Sequence, residues 1–178
     1  MMDTETPNLP TFRTNRLVLR PRTMDDLEAC LNMNRDPEVT RFIPGPWFDP
    51  DDHEAFVRRS IEADYGPGLG YWSVAAHQTP DRFLGWILLT PSESAGGQIE
   101  IGWRFVRNAW GRGYATEAAQ TVLNYGLGVL SLHRIIACIK PENQASVRVA
   151  TKIGMSDEGM HRHADGNWRV FAAHAGFS

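Results

Sequence analysis

The amino-acid sequence predicts a single mixed α/β domain, and three observations carry that prediction. The 178 residues suffice to bury one continuous core, and 42% hydrophobic with 22% charged residues is ordinary for a globular chain. Short apolar and β-branched runs alternate with segments of helical periodicity along the whole length. No internal repeat, low-complexity tract or long linker interrupts them, so residues 1–178 read as one domain, with 1–10 a flexible lead.

The elements follow in order. Residues 16–20 (Arg-Leu-Val-Leu-Arg), ended by Pro21, read as a strand. Thr23 caps a helix running to about Asn34, with Asp25 and Asp26 in its first turn. Pro44, Gly45 and Pro46 break the chain before a second helix over 49–64, with Pro50 in its first turn. Gly66, Pro67, Gly68 and Gly70 mark a loop. Strands are predicted at 71–76, 83–90 and 98–105, with 91–97 turning between the last two. Gly102 inside the third suggests a bulge or a close backbone approach. The helix predicted over 114–128 has an apolar face at Ala115, Ala118, Ala119, Val122 and Leu123. Residues 134–139 form a β-branched strand ended by Pro141, and 143–152 a short helix stopped by Gly154. Strands at 155–160 and 168–174 flank a turn around Asp165 and Gly166. Three consecutive strands predict an antiparallel meander, and the strand–helix–strand unit ending at 134–139 predicts a parallel crossover.

Composition narrows the function. A net charge of −3 disfavours a duplex nucleic-acid binder. The two cysteines, Cys30 and Cys138, form no CxxC pair or Cys/His cluster, so no metal site is expected and both read as reduced thiols of a cytoplasmic protein. The opening ten residues are polar and acidic, unlike a signal peptide, and no stretch approaches the length of a membrane span.

The most informative stretch is Trp110-Gly111-Arg112-Gly113-Tyr114-Ala115-Thr116-Glu117-Ala118, between a strand and an apolar-faced helix. Small residues at 111, 113 and 115 let backbone approach a ligand. The first amides of a helix lack intrahelical partners and the helix dipole adds positive charge there, so this junction suits a pyrophosphate. Arg112, and Arg107 beside it, would add full charges. A Walker loop would need Gly-Lys-Ser/Thr, and a dinucleotide fingerprint would need GxGxxG early in a βαβ unit; neither is present. A plain glycine turn before a core helix is the alternative.

The series Glu100-Ile-Gly-Trp-Arg-Phe105, Trp110 to Ala118, Asn143-Gln-Ala-Ser146 and Lys152-Ile-Gly-Met155 resembles the GNAT N-acetyltransferase family. Thr14-Asn-Arg-Leu-Val-Leu-Arg-Pro21 resembles the first strand of its RimJ/RimL-like branch, the ribosomal-protein N-terminal acetyltransferases. The resemblance covers nearly the whole chain. The family's Gln/Arg-x-x-Gly-x-Gly/Ala loop falls on Trp110 to Ala115, with Trp110 in place of the first polar residue. Val170 departs from an acidic residue common in relatives, which bears on the acceptor site.

The resemblance implies a mostly antiparallel sheet of six to seven strands with about four helices, splayed between the fourth and fifth strands to admit the pantetheine arm of acetyl-CoA. It implies cofactor contacts at Trp103, Arg104, Phe105, Arg107, Trp110, Gly111, Arg112, Gly113, Tyr114, Ala115, Thr116, Asn143, Ser146 and Lys152. The reaction implied is acetyl transfer to a primary amine on a protein N-terminus, a small molecule or an antibiotic, by a monomer or homodimer acting on neither nucleic acid nor membrane. A non-catalytic acyl-CoA-binding module of the same fold is the alternative.

Amine acetylation needs a base for the acceptor, a donor for the carbonyl oxygen and a proton for the departing thiolate. Glu100 is the candidate base, or else a solvent-facing or Arg-paired strand residue. A backbone amide near 103–105 serves the carbonyl. Ser146 is the candidate thiolate donor, one helical turn after Asn143, although Asn143 also suits a plain helix cap. Tyr114 and Tyr125 read as poorly placed for that role. Trp47, Phe48 and Trp72 are candidates for the acceptor wall, with core packing the alternative. His161 and His163 read more readily as part of a solvated loop than as a pocket border, and His133 as structural.

Overall fold

The computed structural model describes residues 9–163 and 166–176. Among the described residues eight strands form one sheet: β1 (Phe12–Arg13), β2 (Leu17–Pro21), β3 (Gly70–Ala76), β4 (Thr79–Ser92), β5 (Gln98–Phe105), β6 (Arg134–Ile139), β7 (Ser156–His163) and β8 (Gly166–His174). Five α-helices among the described residues accompany it: α1 (Leu27–Asn34), α2 (Pro37–Thr40), α3 (Pro50–Glu62), α4 (Tyr114–Asn124) and α5 (Gln144–Lys152). The spatial order is β1-β2-β3-β4-β5-β6-β8-β7, antiparallel throughout except where β5 meets β6.

Alternation along the strands sorts side chains onto two faces. On one, Ile87, Leu89, Ile101 and Phe105 join Ala118, Ala119 and Val122 of α4 in the main core. On the other, Trp86 packs with Cys30, Leu31 and Met33 of α1 and Val57 of α3. Two clusters on opposite faces of one sheet make the layered α/β arrangement that the periodicities predict.

The decisive feature for function is the junction of β5 and β6. They share a single register pair, Glu100 with Ile136, while β4 and β5 pair along eight residues. Past Glu100 the two strands part, so the expected splay between the fourth and fifth predicted strands stands. On that side no strand pairs with Trp103 to Phe105, although the Phe105 carbonyl accepts from Trp110 Nε1 at 2.9 Å.

Several expectations need correction. Two short elements, β1 and α2, carry too few residues for a periodic signal. Gly102 sits in a regular ladder opposite Leu88, and the bulge lies instead between Val74 and Ala76. A Cβ on Gly102 would stand 3.1 Å from the Leu88 side chain, so packing explains this glycine. The α4 helix stops at Asn124 and continues as a π-turn over Tyr125–Val129. At Gly126 a Cβ would lie 2.6 Å from Ile135 Cδ1, so the missing side chain lets the turn close onto β6. Of the lead expected to be flexible, residues 1–8 lie outside the described residues. Leu9 packs on the core and the Pro10 carbonyl accepts from Trp72 Nε1 at 2.8 Å.

One buried charge ties α1 to the sheet. The Asp26 carboxylate accepts from Arg20 at 2.6 and 2.8 Å, from the Thr23 amide at 3.0 Å and from the Ser73 hydroxyl at 2.9 Å. Burial pushes its pKa up, but these four donors outweigh that and hold it below the ordinary 3.8.

Candidate active site

The junction before α4 has the backbone geometry of an anion cradle. Gly111 and Gly113 adopt φ of 71° and 76°, a left-handed region that glycine occupies without a Cβ penalty. The first helical bond runs from the Glu117 amide to the Gly113 carbonyl at 3.0 Å. The preceding amides of Tyr114, Ala115 and Thr116 therefore have no intrahelical acceptor. A clamp from the turn between β1 and β2 fixes the loop. Arg16 donates Nη1 to the Arg112 carbonyl at 2.8 Å and Nε to Glu117 at 2.7 Å, while Thr14 donates to the same carboxylate at 2.6 Å.

A cleft of about 450 Å³ opens from this cradle. It runs from the loop after α2 past the strand-free edge of β5 to the α4 N-terminus and α5. Trp103, Arg104, Phe105, Trp110, Gly111, Gly113, Tyr114, Ala115, Thr116, Asn143, Ser146 and Lys152 line it, so twelve of the expected contact positions converge there. Two do not. Arg107 turns outward and donates Nε to Asp36 at 2.9 Å, an exposed ion pair that removes it from the cleft. Arg112 offers the region its backbone, and its side chain does not line the cleft. Sequence reading missed Arg148, which lines the cleft one turn before Lys152 on α5; the i, i+4 spacing of two basic residues was its only signal.

Asn143 caps α5, its Oδ1 accepting the Ser146 amide at 3.2 Å. The Ser146 hydroxyl accepts from Trp103 Nε1 at 3.3 Å and so straps α5 to β5 across the splay. Of the two tyrosines, Tyr125 donates to the Gly68 carbonyl at 3.2 Å, while Tyr114 lines the cleft, with Arg16 stacked 4.8 Å above its ring.

With this geometry in hand, likeness to known proteins decides the family. The profile of the Acetyltransferase (GNAT) domain family matches residues 16–156. The chain belongs to the GNAT acetyltransferase family. This GNAT protein is 36% identical over 149 residues to the uncharacterized N-acetyltransferase YnaD of Bacillus subtilis, covering 84% of each chain. It is 26% identical over 153 residues to a spermidine N(1)-acetyltransferase of Escherichia coli, covering 82% of this chain and 75% of that one. A GNAT-family acetyltransferase of Bacillus anthracis superposes with a TM-score of 0.77 at 32% identity, over 93% of this chain and 99% of that one. The protein is thus an N-acetyltransferase of a family that uses acetyl-CoA, and the cradle suits that molecule's diphosphate.

The remaining candidates of the GNAT site lie on the opposite face of β5. Glu100 stands where β5 and β6 touch, outside the cleft lining, with Oε1 3.4 Å from the Cys138 amide. Burial, then the Glu100 charge, push the Cys138 thiol up to about 12, with Arg134 opposing. Further along this face the buried Arg104 guanidinium donates Nη1 to Asn34 Oδ1 at 2.6 Å, and Asn34 Nδ2 lies 3.1 Å from His53 Nε2. Asn34 spends its carbonyl on Arg104, so its amide donates and His53 Nε2 must accept, which a neutral imidazole allows.

The expected acceptor wall is rearranged. Trp72 is fully buried in the main core and Phe48 is 99% exposed, so neither borders the site. Trp47 stacks edge-on against His53 and faces Arg104 at 5.0 Å. His161 sits in β7 opposite Trp168 in β8, remote from the cleft lining, and the His133 carbonyl accepts the Ala175 amide at 3.1 Å. The turn at Asp165 lies outside the described residues. Among the described residues no group of three His, Cys, Asp or Glu is arranged to hold a metal ion, and no helix is long and apolar enough to cross a membrane.

The His53 contact predicts a pH dependence. Burial first, then Arg35 and Arg104, hold its imidazole below the ordinary 6.5. The unfolded chain therefore takes up this proton at higher pH than the folded one, and stability is lost as pH falls below about 6.5. The melting temperature should drop between pH 7 and 5.5, and His53→Gln should flatten that slope.

Proposed function

We propose that this enzyme transfers acetyl from acetyl-CoA to a primary amine by direct attack in a ternary complex. The observation that carries the reading is one cleft joining the α4 cradle to the strand-free edge of β5. The amides of Tyr114, Ala115 and Thr116 bind the diphosphate, and Arg148 and Lys152 add charge along α5. The backbone edge of Trp103 to Phe105 binds the pantetheine arm and offers an amide to the thioester carbonyl. Glu100, about 10 Å along β5 from Trp103 at the strand rise, takes the amine's proton through intervening water. Ser146 gives its hydroxyl proton to the departing thiolate and is reprotonated from solvent, to which Glu100 releases the proton taken from the amine.

Direct attack is supported by the thiols. With Cys138 at about 12, roughly one molecule in 10⁵ carries a thiolate at pH 7. Cys30 is buried and shifted upward as well. Neither serves as an acyl-carrying nucleophile. A primary amine as acceptor agrees with the activity that the spermidine N(1)-acetyltransferase relative is named for. Placement in the RimJ/RimL-like branch rests on residues 14–21 and the Asn143–Ser146 pair.

The test is release of free CoA thiol from acetyl-CoA with a panel of primary amines. Turnover is expected, and Glu100→Gln should lower kcat about a hundredfold while acetyl-CoA affinity holds. Tight CoA binding without turnover on any amine would instead identify a binding module.

A further inference from the structure

We infer that the acceptor is a small primary amine that also bears a carboxylate, recognised by Arg104. This rests on the proposed acetyl transfer in the same cleft.

Arg104 lines the cleft yet is only 9% exposed. Its guanidinium lies between two indoles, 5.0 Å from the Trp47 ring and 4.9 Å from the Trp86 ring. Asn34 accepts from Nη1, and the buried Nε has no hydrogen-bond partner. Among the described residues no aspartate or glutamate forms an ion pair with it. Nε and Nη2 share one edge of the guanidinium plane, and that edge is a two-pronged donor matching a carboxylate. A buried charge without a counter-ion and with an orphaned donor is costly, and it persists where a ligand supplies the missing anion. Burial depresses the Arg104 pKa to about 10, which still leaves the group charged at neutral pH.

The surrounding charge agrees. Arg41, Arg104, Arg148 and Lys152 line the cleft against a single acid, Glu38, which is paired with Arg41 at 3.8 Å. With Arg148 and Lys152 facing the coenzyme's phosphates and Arg41 paired with Glu38, an unadorned polyamine would set its second ammonium against Arg104, and the cleft lining offers no unpaired acid to receive it. Arg104 and Glu100 project from the same face of β5, four residues apart, or about 13 Å between their Cα atoms at the strand rise. An acceptor with its amine toward Glu100 and its carboxylate toward Arg104 fits between them.

Matched acceptors test this: γ-aminobutyrate against n-butylamine, and lysine against 1,5-diaminopentane, each by kcat/KM. At least about a tenfold preference for the acid of each pair is expected, the worth of one charged hydrogen bond. Asn34→Asp supplies Arg104 with an internal counter-ion, and Arg104→Met removes the charge; either should erase the preference ratio, which a purely structural role would leave standing. Equal or better turnover of the plain amines by the native enzyme overturns the inference and leaves acetyl transfer intact. Absence of turnover with every amine sinks the proposed function instead. In that event calorimetry on the CoA complex decides the inference separately: N-acetyl-γ-aminobutyrate should bind at least about tenfold tighter than N-butylacetamide, and equal or undetectable binding of both overturns it.

Discussion

Gly113→Val is expected to weaken acetyl-CoA binding by a factor of about 10² to 10³. Gly113 sits at φ +76°, where a side chain costs about 1–2 kcal/mol and a β-branched one more. A Cβ there would approach Arg16 Nη2 to 3.4 Å, in the clamp that holds the Arg112 carbonyl and Glu117. Relief of either strain turns the cradle amides away from the diphosphate. Each amide-to-phosphate bond is worth about 1.5–3 kcal/mol, so losing two accounts for the factor. Gly96→Val is the control. Gly96 has φ +67° and nothing within 4 Å of a would-be Cβ, in a turn outside the cleft. It carries the same backbone penalty and should leave CoA titrations unchanged.

The largest stability effect is expected for Trp72→Ala. The indole is fully buried, with ring centroids 5.8 Å from Phe12 and 5.9 Å from Tyr125, and its Nε1 donates to the Pro10 carbonyl. Truncation loses apolar burial, leaves a cavity beneath the turn that ends α4 and orphans a carbonyl, for about 3–5 kcal/mol. In a chain of this size that lowers Tm by roughly 10 °C. Phe48→Ala, at a side chain 99% exposed, should stay within about 0.5 kcal/mol of the native protein.

The contrast between Trp72 and Phe48 shows what was legible in the sequence and what was not. Both are aromatic residues near helix and strand boundaries, and nothing local separates a core ring from a solvent-facing one. What settles them is sheet register: Trp72 faces Ile87 across β3–β4 on the core side. Local signals read well. Pro50 after an Asp cap starts α3, two left-handed glycines precede α4, and the apolar stripe of α4 marks the buried face. Pairings distant in sequence did not. Arg107 was assigned to the phosphate because it neighbours the cradle, but its partner Asp36 lies 71 positions away. Arg104 lines the cleft with the rest of that edge, but the partner of its guanidinium, Asn34, lies 70 positions away. The splay was read from family resemblance alone; one register pair between β5 and β6 is a property of two backbones, not of any motif.

Catalysis depends most on amides of the α4 N-terminus binding the coenzyme's diphosphate. Amide resonances and hydrogen exchange of isotope-labelled protein, titrated with CoA and with pantetheine, test this residue by residue. CoA should shift the Tyr114, Ala115 and Thr116 amides and slow their exchange, while pantetheine, lacking the diphosphate, should leave them unmoved. Saturating CoA that perturbs other residues and passes over these three amides would contradict the account.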